Sequence, residues 1–557
     1  MYNFIMIKEK IKQLVTTAYQ NEEIGEYQID YPPAGMGDYA INLALKLSSK
    51  LGQNPMELAS DIAEKIKAQP ETDKFIKKIT IEHPGFVNFT INENIYADLV
   101  KDINKQADKF GNSSIKQNKK VQIEFISANP TGPLTLGNGR GGFTGDVLAS
   151  VMQTQGFNVE REYYINDAGN QVNILAESVI RKYWHTQGLQ VPYPDYCYQG
   201  KYIEEVAKQI KMYNYTLKDA EKIDIIKEKI KGQVLKIMIK DLKRVTKEVM
   251  KINFDNWFSE QSLYDEGLVD QLLEILKEKD LLYEKEGATW MKTTQYGDDK
   301  DRVLKKENGE MTYFLSDIAY QYNKFVTRKF DKVIHIWGAD HHGYVGRLRA
   351  IVDVFSDKEK VDFILMQMVK LIRDGEELKM SKRSGTFVTI EELVEEVGLD
   401  VTRFFFLKYS NDTHMEFDLD LALEQSDKNP VYYVQYAHAR ICSILAEVKE
   451  RPATTKIELT EKSELDLVKE LIKFPEVLED ISETYAVHKL PNYIYEVASK
   501  FHSFYANCRV IENDEVNYSR VELIEATKVV IKNALTVMGI DSPEKMAEKS
   551  KKPSYLI

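Results

Sequence analysis

The spacing of apolar residues changes twice between residues 121 and 165. Residues 121–126 alternate apolar and polar and are rich in β-branched and aromatic side chains, which predicts a strand. From Phe143 to Met152 the apolar residues recur at helical spacing, and residues 159–165 predict the next strand. Glycine and proline crowd the turn before the helix. This βαβ unit therefore presents a helix N-terminus, whose unpaired N–H groups and dipole favour an anion, most often phosphate.

The patterns before and after this unit are different. Residues 1–115 predict a separate α/β domain, in which a helical stretch is interrupted at Gly52 and Pro55. Residues 79–90 alternate like a hairpin that turns at a Pro-Gly pair. Residues 413–557 are predicted to be helical throughout. The order of these patterns indicates an α/β centre with an extra domain on each side.

The central part, residues 116–412, alternates strands and helices as an open parallel sheet does. Residues 195–255 are strongly helical and charged, and we interpret them as an insertion. Their lysines suit RNA contact, although a solvated helix face is the simpler interpretation. The remaining predicted elements are a hairpin at Asn308-Gly309 that places Tyr313 near the end of a strand, a helix over 317–328, and buried strands over 333–338 and 363–368.

Composition narrows the class of protein. A chain of 557 residues allows about three to four domains, and 43% apolar with 29% charged residues is typical of a soluble globular protein. Without a long apolar run, a secretory signal or paired cysteines, we expect a cytoplasmic protein with no membrane span. The net charge of −12 argues against a nonspecific nucleic-acid coat, but local basic patches can still bind one RNA.

The glycine-rich turn is neither a dinucleotide fingerprint nor a Walker A loop, and glycines there can simply pack a helix on a sheet. It resembles the first signature of class I aminoacyl-tRNA synthetases, a His-φ-Gly-His tetrad just before a helix. The four positions here are Thr135, Leu136, Gly137 and Asn138, so both histidines are replaced. A hydroxyl and an amide still donate hydrogen bonds to phosphate, so we predict that activity survives.

Flanking motifs make the resemblance to arginyl-tRNA synthetases closer. They lie at residues 129–134, 139–141 and 163–171, and the second class I signature follows far downstream as Lys379-Met-Ser-Lys382. The resemblance implies a Rossmann-like parallel-sheet catalytic domain (116–412), an N-terminal α/β tRNA-binding domain (1–115) and a C-terminal all-helical anticodon-binding bundle (413–557). It also implies a monomeric ligase that uses ATP with Mg²⁺, forms arginyl-adenylate from L-arginine, and transfers the arginyl group to the 2′-OH of the terminal adenosine of tRNA(Arg).

The resemblance also assigns roles to single residues. L-arginine would be held by Glu124, Ser127, Asn129, Glu260, Tyr313, Asp317 and His341. ATP would be bound by Pro133, Gly137, Gly139, Gly338, Asp340, His342, Met368, Met380 and Ser381. Transition-state charge would be stabilised by Thr135, Asn138, Lys379 and Lys382. The tRNA would contact Phe86, Asn88, Tyr432, Gln435, Tyr436 and Arg440.

The chemistry of these residue types fits the roles. A planar guanidinium has five donors, which two carboxylates such as Glu260 and Asp317 can accept in forked pairs. Lysines stabilise the charge that builds up when a carboxylate displaces pyrophosphate from ATP. Adjacent His341 and His342 have no third ligand at zinc-like spacing, so we expect no resident metal site.

Ordinary structural roles stay open for several of these residues, including core packing for Phe86, Met368 and Tyr436 and an N-cap for Asp317. Two other functions also stay open. Another class I synthetase, such as a cysteinyl type, would charge tRNA with a different amino acid. A non-catalytic tRNA-binding relative, suggested by the replaced histidines, would not release pyrophosphate from ATP.

Overall fold

The computed structural model describes residues 7–19, 24–210, 223–378, 388–449, 451–452 and 456–546. Its N-terminal part is an antiparallel sheet with strand order β1-β2-β4-β3, covered by helices. The predicted interruption at Gly52 and Pro55 and the predicted hairpin are confirmed. The elements are α1 Ile7–Ala18, β1 Ile29–Asp30, β2 Tyr39–Ile41, α2 Leu43–Leu51, α3 Pro55–Lys67, α4 Thr72–Phe75, β3 Ile76–Glu82, β4 Phe86–Ile91 and α5 Asn94–Gln106.

A parallel sheet with strand order β12-β11-β5-β6-β7 forms the centre of the molecule. The predicted βαβ unit is confirmed as β5, α6 and β6. The first elements are β5 Lys120–Glu124, α6 Leu136–Thr154, β6 Asn158–Ile165, α7 Asn170–Thr186, α8 Lys201–Gln209, α9 Ile223–Arg244, β7 Asn256–Ser259, α10 Glu260–Asp265 and α11 Leu268–Glu278.

A small antiparallel sheet, β10-β9-β8, and the rest of the parallel sheet follow. A third sheet, with strand order β14-β13-β15, follows the parallel sheet along the chain. These elements are β8 Leu282–Lys285, β9 Ala288–Met291, β10 Arg302–Lys305, α12 Tyr313–Tyr322, β11 Lys332–Gly338, α13 Val345–Phe355, β12 Val361–Met366, β13 Val369–Arg373, β14 Glu376–Glu377, α14 Ile390–Val397, α15 Leu399–Leu407, β15 Met415–Asp418 and α16 Leu419–Leu423.

The C-terminal part is built mainly from long helices that pack on one another and on the N-terminal part. Glu476, for example, accepts a hydrogen bond from the Lys8 amide at 3.2 Å. The prediction of helix throughout was wrong at β15 and at the β16–β17 hairpin. Met415–Asp418 alternates apolar and polar residues and pairs in parallel with β13. The elements are α17 Pro430–Glu447, α18 Lys462–Leu471, α19 Phe474–Thr484, α20 Lys489–Asn507, β16 Ile511–Glu512, β17 Glu515–Val516 and α21 Tyr518–Met538.

Helix α6 is buried on nearly all sides, and its glycines allow this. A Cβ at Gly145 would clash with the ring of Phe125, and a Cβ at Gly142 would lie 2.8 Å from Met250 Cε. Close packing therefore does explain some of the glycines in and after the turn. It does not explain the turn itself, which opens the helix N-terminus into a cleft.

The region around Tyr313 differs from the prediction. Asn308-Gly309 does turn the chain, with the Lys306 amide donating to Glu310 O at 2.9 Å, but the returning strand is reduced to one bridge between Lys305 and Met311. Tyr313 is the first residue of α12, because the extended residue Thr312 ends the turn by donating its hydroxyl to Val303 O at 2.7 Å.

Candidate active site

A cleft of about 1170 Å³ lies at the carboxyl ends of β5, β6 and β11, beside the N-terminus of α6. This is the edge where open parallel sheets bind ligands. Many of the predicted site residues line it. Those residues are Glu124, Ser127, Asn129, Pro133, Thr135, Gly137, Asn138, Asp317, Gly338, Asp340, His341 and Met368.

The first turn of α6 forms one wall of the cleft. The backbone N–H and the hydroxyl of Thr135 both donate to Asn138 Oδ1, at 3.0 and 2.9 Å. Within the part of the chain that the structure describes, Asn138 Nδ2 has no hydrogen-bond partner. The amide therefore keeps two N–H donors at the helix end where phosphate is favoured.

Gly139, predicted to bind ATP, lies away from the cleft. A Cβ there would be 2.5 Å from Ile390 Cδ1, so this glycine permits contact between α6 and α14. A bridge between Thr135 and Thr389 joins the same two elements. Lys379, Met380, Ser381 and Lys382 lie outside the described residues, and α14 is the first described helix that follows them.

Glu260 and Asp317 lie together at the other end of the cleft. The Ser316 hydroxyl, next to Asp317, donates to Glu260 Oε1 at 3.0 Å. The carboxylate of Asp317 accepts from the Tyr344 hydroxyl. Glu260 does not line the cleft directly and is only 2% exposed. With its nitrogen facing Glu260, the Asn166 side-chain amide donates to Oε2 at 3.0 Å. We name Glu260 and Asp317 the acidic corner.

The acidic corner has the charge and burial that suit a bound cation. Burial raises the pKa of Asp317 to about 7, helped by the negative charge of Glu260 and opposed by the Tyr344 hydrogen bond and Arg347. Burial also raises the pKa of Glu260. In the described part of the chain, no lysine, arginine or histidine lies within 4.0 Å of either carboxylate. The corner thus holds two costly carboxylates that form no direct ion pair among the described residues, and Arg347 offsets the charge of Asp317 only in part.

Tyr313 does not line the cleft, although it is 59% exposed. Its ring lies against the loop before α7, since a Cβ on Gly169 would clash with the Tyr313 hydroxyl. The loop residue Asn166 is the one that reaches Glu260. Tyr313 therefore lies beside the loop that contacts Glu260 and outside the lining of the cleft.

Glu124 is buried beneath the middle of the cleft and already has a counter-ion. Lys324 Nζ lies 2.5 Å from Glu124 Oε2, which also accepts from the Tyr320 hydroxyl at 3.1 Å. Lys324 and His335 hold the pKa of Glu124 below its usual range, although burial alone would raise it. The second oxygen accepts only a long hydrogen bond, 3.4 Å, from Ser127 among the described residues.

The chain is bent sharply where β5 ends. Ile126 and Ser127 both have positive φ, 66° and 39°, which is unusual for any residue and most unusual for β-branched isoleucine. The bend lets Ser127 Oγ accept from the Tyr164 amide at 3.1 Å. Asn129 Nδ2 donates to Gln171 Oε1 at 2.8 Å. These contacts fix the polar groups at the centre of the cleft.

The turn after β11 forms the remaining wall. His341 Nε2 lies 3.6 Å from Asp340 Oδ2, and Met368, just past β12, is 74% exposed. His342 follows in the same turn but does not line the cleft. Over the described residues, no group of three His, Cys, Asp or Glu side chains is arranged to hold a metal ion.

The predicted tRNA contacts fall on two surfaces. Phe86 is half-buried at the start of β4. Asn88 is only 3% exposed, and its side-chain amide donates to Met36 O at 2.8 Å. The amide of Asn88 is therefore not at the surface, where RNA could contact it. On α17, the rings of Tyr432 and Tyr436 lie 6.5 Å apart and nearly parallel, and Tyr436 is 41% exposed.

Other predicted residues of α17 are engaged inside the protein. Gln435 Nε2 donates to Asp400 Oδ2 and Asp541 O, both at 2.8 Å, and Arg440 donates to the Tyr505 hydroxyl at 3.0 Å. The sequence analysis did not single out Tyr495 and His502 of α20, whose rings pack against Tyr433 and Tyr436 of α17. Their spacing of seven residues on one helix was the available signal.

Known proteins match this arrangement over nearly the whole chain. Residues 99–416 match the family model for "tRNA synthetases class I (R), catalytic domain", residues 6–91 that for "Arginyl tRNA synthetase N terminal domain", and residues 434–546 that for "DALR anticodon binding domain". The chain belongs to the arginyl-tRNA synthetase family.

Individual relatives agree with this family. The chain is 44% identical to the arginine–tRNA ligase of Citrifermentans bemidjiense over 94% of this chain and 96% of that protein. It is 42% identical to that of Bacillus subtilis over 97% and 98%. The fold is shared with the Thermus thermophilus arginyl-tRNA synthetase structure, with a TM-score of 0.76, 20% identity and coverage of 97% and 100%.

The family, the fold class and the enzyme class predicted from the sequence are confirmed. Class I membership implies the use of ATP. The domain boundaries and the roles of single residues stay predictions. Across the residues that the structure describes, we find no helix that combines the length and the apolar character needed to cross a bilayer.

Proposed function

We propose that this chain joins L-arginine to tRNA(Arg) in the cleft, through arginyl-adenylate made from ATP. The observation that carries the assignment of arginine is the acidic corner. Two neighbouring carboxylates with raised pKa values lie at one end of a cleft whose other end is a helix N-terminus. A side chain with a permanent positive charge and several donors fits the first end, and phosphates fit the second.

The guanidinium is bound at the Asp317 carboxylate, at the end of the cleft where Glu260 lies just behind the wall. Asp317 faces the cleft, and Glu260 supplies negative charge from behind through Ser316 and Asn166. A substrate without this cation leaves two buried carboxylates uncompensated. The site therefore rejects uncharged amino acids of similar size by several orders of magnitude.

The α-ammonium and carboxylate of arginine lie at the bend after β5. Ser127, Asn129 and the weakly hydrogen-bonded Oε1 of Glu124 are the polar groups there, and His341 faces them from the opposite wall. Lys324 contributes indirectly, because its ion pair keeps Glu124 ionised. Fixed groups of this kind contribute to the rate by orienting the reacting carboxylate.

ATP lies between the turn after β11 and the first turn of α6. Gly338, Asp340 and Met368 border the adenosine, while Pro133, Gly137 and Asn138 border the phosphates. The arginine carboxylate attacks the α-phosphorus and pyrophosphate leaves, and the 2′-OH of the terminal adenosine then attacks the adenylate carbonyl and AMP leaves. Thr135, Asn138, Lys379 and Lys382 stabilise the charge that develops.

In our proposal, this chemistry survives although Thr135 and Asn138 stand where the class I signature has histidines. Asn138 Nδ2 supplies the donor that a histidine would supply, without the positive charge that a histidine can carry. Mg²⁺ arrives with ATP, bound to its phosphates. We also propose that the enzyme works as a cytoplasmic monomer, and that Phe86 and the aromatic surface of Tyr432 and Tyr436 contact the tRNA.

Charging of tRNA with each of the twenty amino acids tests the proposal. We expect arginine alone to be transferred, and Asp317→Asn to raise the KM for arginine strongly while the affinity for tRNA stays the same. The matched control is Asp265→Asn, on the same helix as Glu260 and outside the cleft, which should leave the KM for arginine unchanged. The proposal would be contradicted if the wild-type protein released no pyrophosphate from ATP in the presence of tRNA and arginine.

A further inference from the structure

Helix α9 has two chemically opposite faces. One face is buried and carries Ile226, Ile230, Val234, Met238 and Leu242 at intervals of four residues. The opposite face is exposed and carries lysines at spacings of seven, four, three and four residues, the last of them in the helical turn Val245–Val249 that continues α9. This spacing places the lysines on one line along the helix. We name this row the lysine stripe: Lys229, Lys236, Lys240, Lys243 and Lys247.

The lysine stripe is not neutralised from within the protein. The other basic residues of α9 are paired, as Lys227 is with Asp224 at 2.6 Å and Lys231 with Glu228 at 2.6 Å. In contrast, no stripe lysine has a carboxylate oxygen within 4.0 Å among the described residues. Lys243 Nζ instead lies 5.0 Å from the ring centroid of Trp257. Like charges three and four residues apart repel, so an external anion would relieve the repulsion.

The stripe is held firmly near the phosphate end of the cleft. Arg244 forms a forked pair with Glu391 of α14, at 2.6 and 2.8 Å. Just past α9, Met250 O accepts from Arg403 Nη1 at 2.8 Å. Helix α14 begins beside Thr389, which bridges to Thr135 at the first turn of α6. A polyanion lying on the stripe would therefore lead toward the reacting groups.

We propose that the lysine stripe binds the phosphate backbone of the tRNA arm that carries the 3′ end. The inference rests on the proposed function only in taking tRNA as the polyanion. The five lysines extend over about 27 Å, about one charge per helical turn, which suits successive phosphates of a duplex better than a single small anion. In a chain of net charge −12, such a local row is what allows RNA to approach.

Three variants test this proposal by their salt dependence. In K236Q/K240Q/K247Q three charges of the stripe are removed, and in K236R/K240R/K247R they are kept. K277Q/K279Q/K305Q removes the same charge from exposed lysines on α11, just after α11, and on β10. The Kd of an unmodified tRNA(Arg) transcript is measured for each at salt concentrations between about 50 and 200 mM. Thermal melting checks that each variant is folded.

We expect the stripe glutamine variant to reduce the slope of log Kd against log salt by about 1 for each lysine removed, with affinity at about 50 mM salt falling on the order of a thousandfold. The KM for arginine should not change. The arginine variant should keep the wild-type slope, and the α11 and β10 variant should change it by less than about 1.

An unchanged slope in the stripe glutamine variant would overturn the proposal, and so would an equal reduction in the control triple. Binding to anionic lipid vesicles that depends on the stripe, with an unchanged tRNA slope, would also overturn it. Failure of the proposed function is distinguishable, because it appears as absent arginine charging by the wild-type protein, whereas this test reads tRNA affinity alone.

Discussion

The raised pKa of Asp317 predicts that arginine binding depends on pH near neutrality. Burial and the charge of Glu260 bring this pKa to about 7. A guanidinium stays charged at any pH that the protein tolerates, so only the carboxylate titrates. Arginine binds the ionised carboxylate and lowers its pKa. Below about pH 7 a proton must therefore leave Asp317 before or as arginine binds.

The magnitude follows from the size of the shift. At about pH 8 most of Asp317 is ionised and no penalty applies. At about pH 6 the proton and arginine compete, and arginine affinity falls about tenfold, which corresponds to about 1.4 kcal/mol. Because the pKa of Asp317 is raised, the affinity for arginine is full above about pH 7 and decreases as the pH falls below it. An ordinary aspartate would show no loss until about pH 4.

The assay is kcat/KM for arginine between about pH 5.5 and 8.5 with saturating ATP and tRNA, since this ratio reports the free enzyme. Two variants assign the inflection to Asp317. In Asp317→Asn the inflection near pH 7 should disappear. In Tyr344→Phe, which loses the hydrogen bond to the ionised carboxylate, it should move to higher pH. A wild-type profile that is flat from about pH 8 to 6, or an inflection that persists in Asp317→Asn, would refute the reasoning.

Three further predictions concern stability and use thermal or denaturant unfolding. Because the pKa of Asp317 is raised, its stability contribution is present at low pH and lost as the pH rises through about 7, so Asp317→Asn should stabilise the protein at about pH 8 by at most about 4 kcal/mol and have little effect near pH 4. Lys324→Met should destabilise by about 3–5 kcal/mol because it leaves Glu124 buried and unpaired, and adding Glu124→Gln should recover part of the loss. Gly145→Ala should cost about 1–3 kcal/mol through its clash with Phe125, whereas Gly232→Ala in α9, where a Cβ meets open space, should be neutral or stabilising by up to about 1 kcal/mol.

Local pattern was enough to predict the centre of the fold. The change of period from two to 3.6 and back predicted β5, α6 and β6, and the rule that ligands bind at the carboxyl ends of parallel strands located the cleft. The resemblance then named Asp317 and Glu260, which the structure brings to one corner. These successes share a cause, because each depends on residues close together in the chain or on a motif that already encodes distant ones.

The features that the sequence analysis did not predict depend on contacts between distant parts of the chain. Nothing in the sequence around Glu124 indicates that its partner is Lys324, 200 residues away. Nor does it indicate that Tyr344 donates to Asp317. Tyr313 was placed at the end of a strand because Asn308-Gly309 favours a hairpin, but β10 pairs with β9 instead and the chain enters a helix. Positive φ at Ile126 runs against the preference of a β-branched residue and is imposed by its surroundings.

The arrangement of charge explains how an acidic protein can handle three anionic groups: ATP, the arginine carboxylate and tRNA. Two buried carboxylates lie together in the acidic corner, hydrogen-bonded to Ser316 and Tyr344, where in our proposal they meet the cationic end of arginine. The uncompensated donors, at Asn138 and along the lysine stripe, lie at the opposite end of the cleft and beyond it. Beneath the middle of the cleft, the carboxylate of Glu124 is offset by Lys324 at 2.5 Å. Local pairing rather than the net charge of −12 therefore sets the field that each substrate meets.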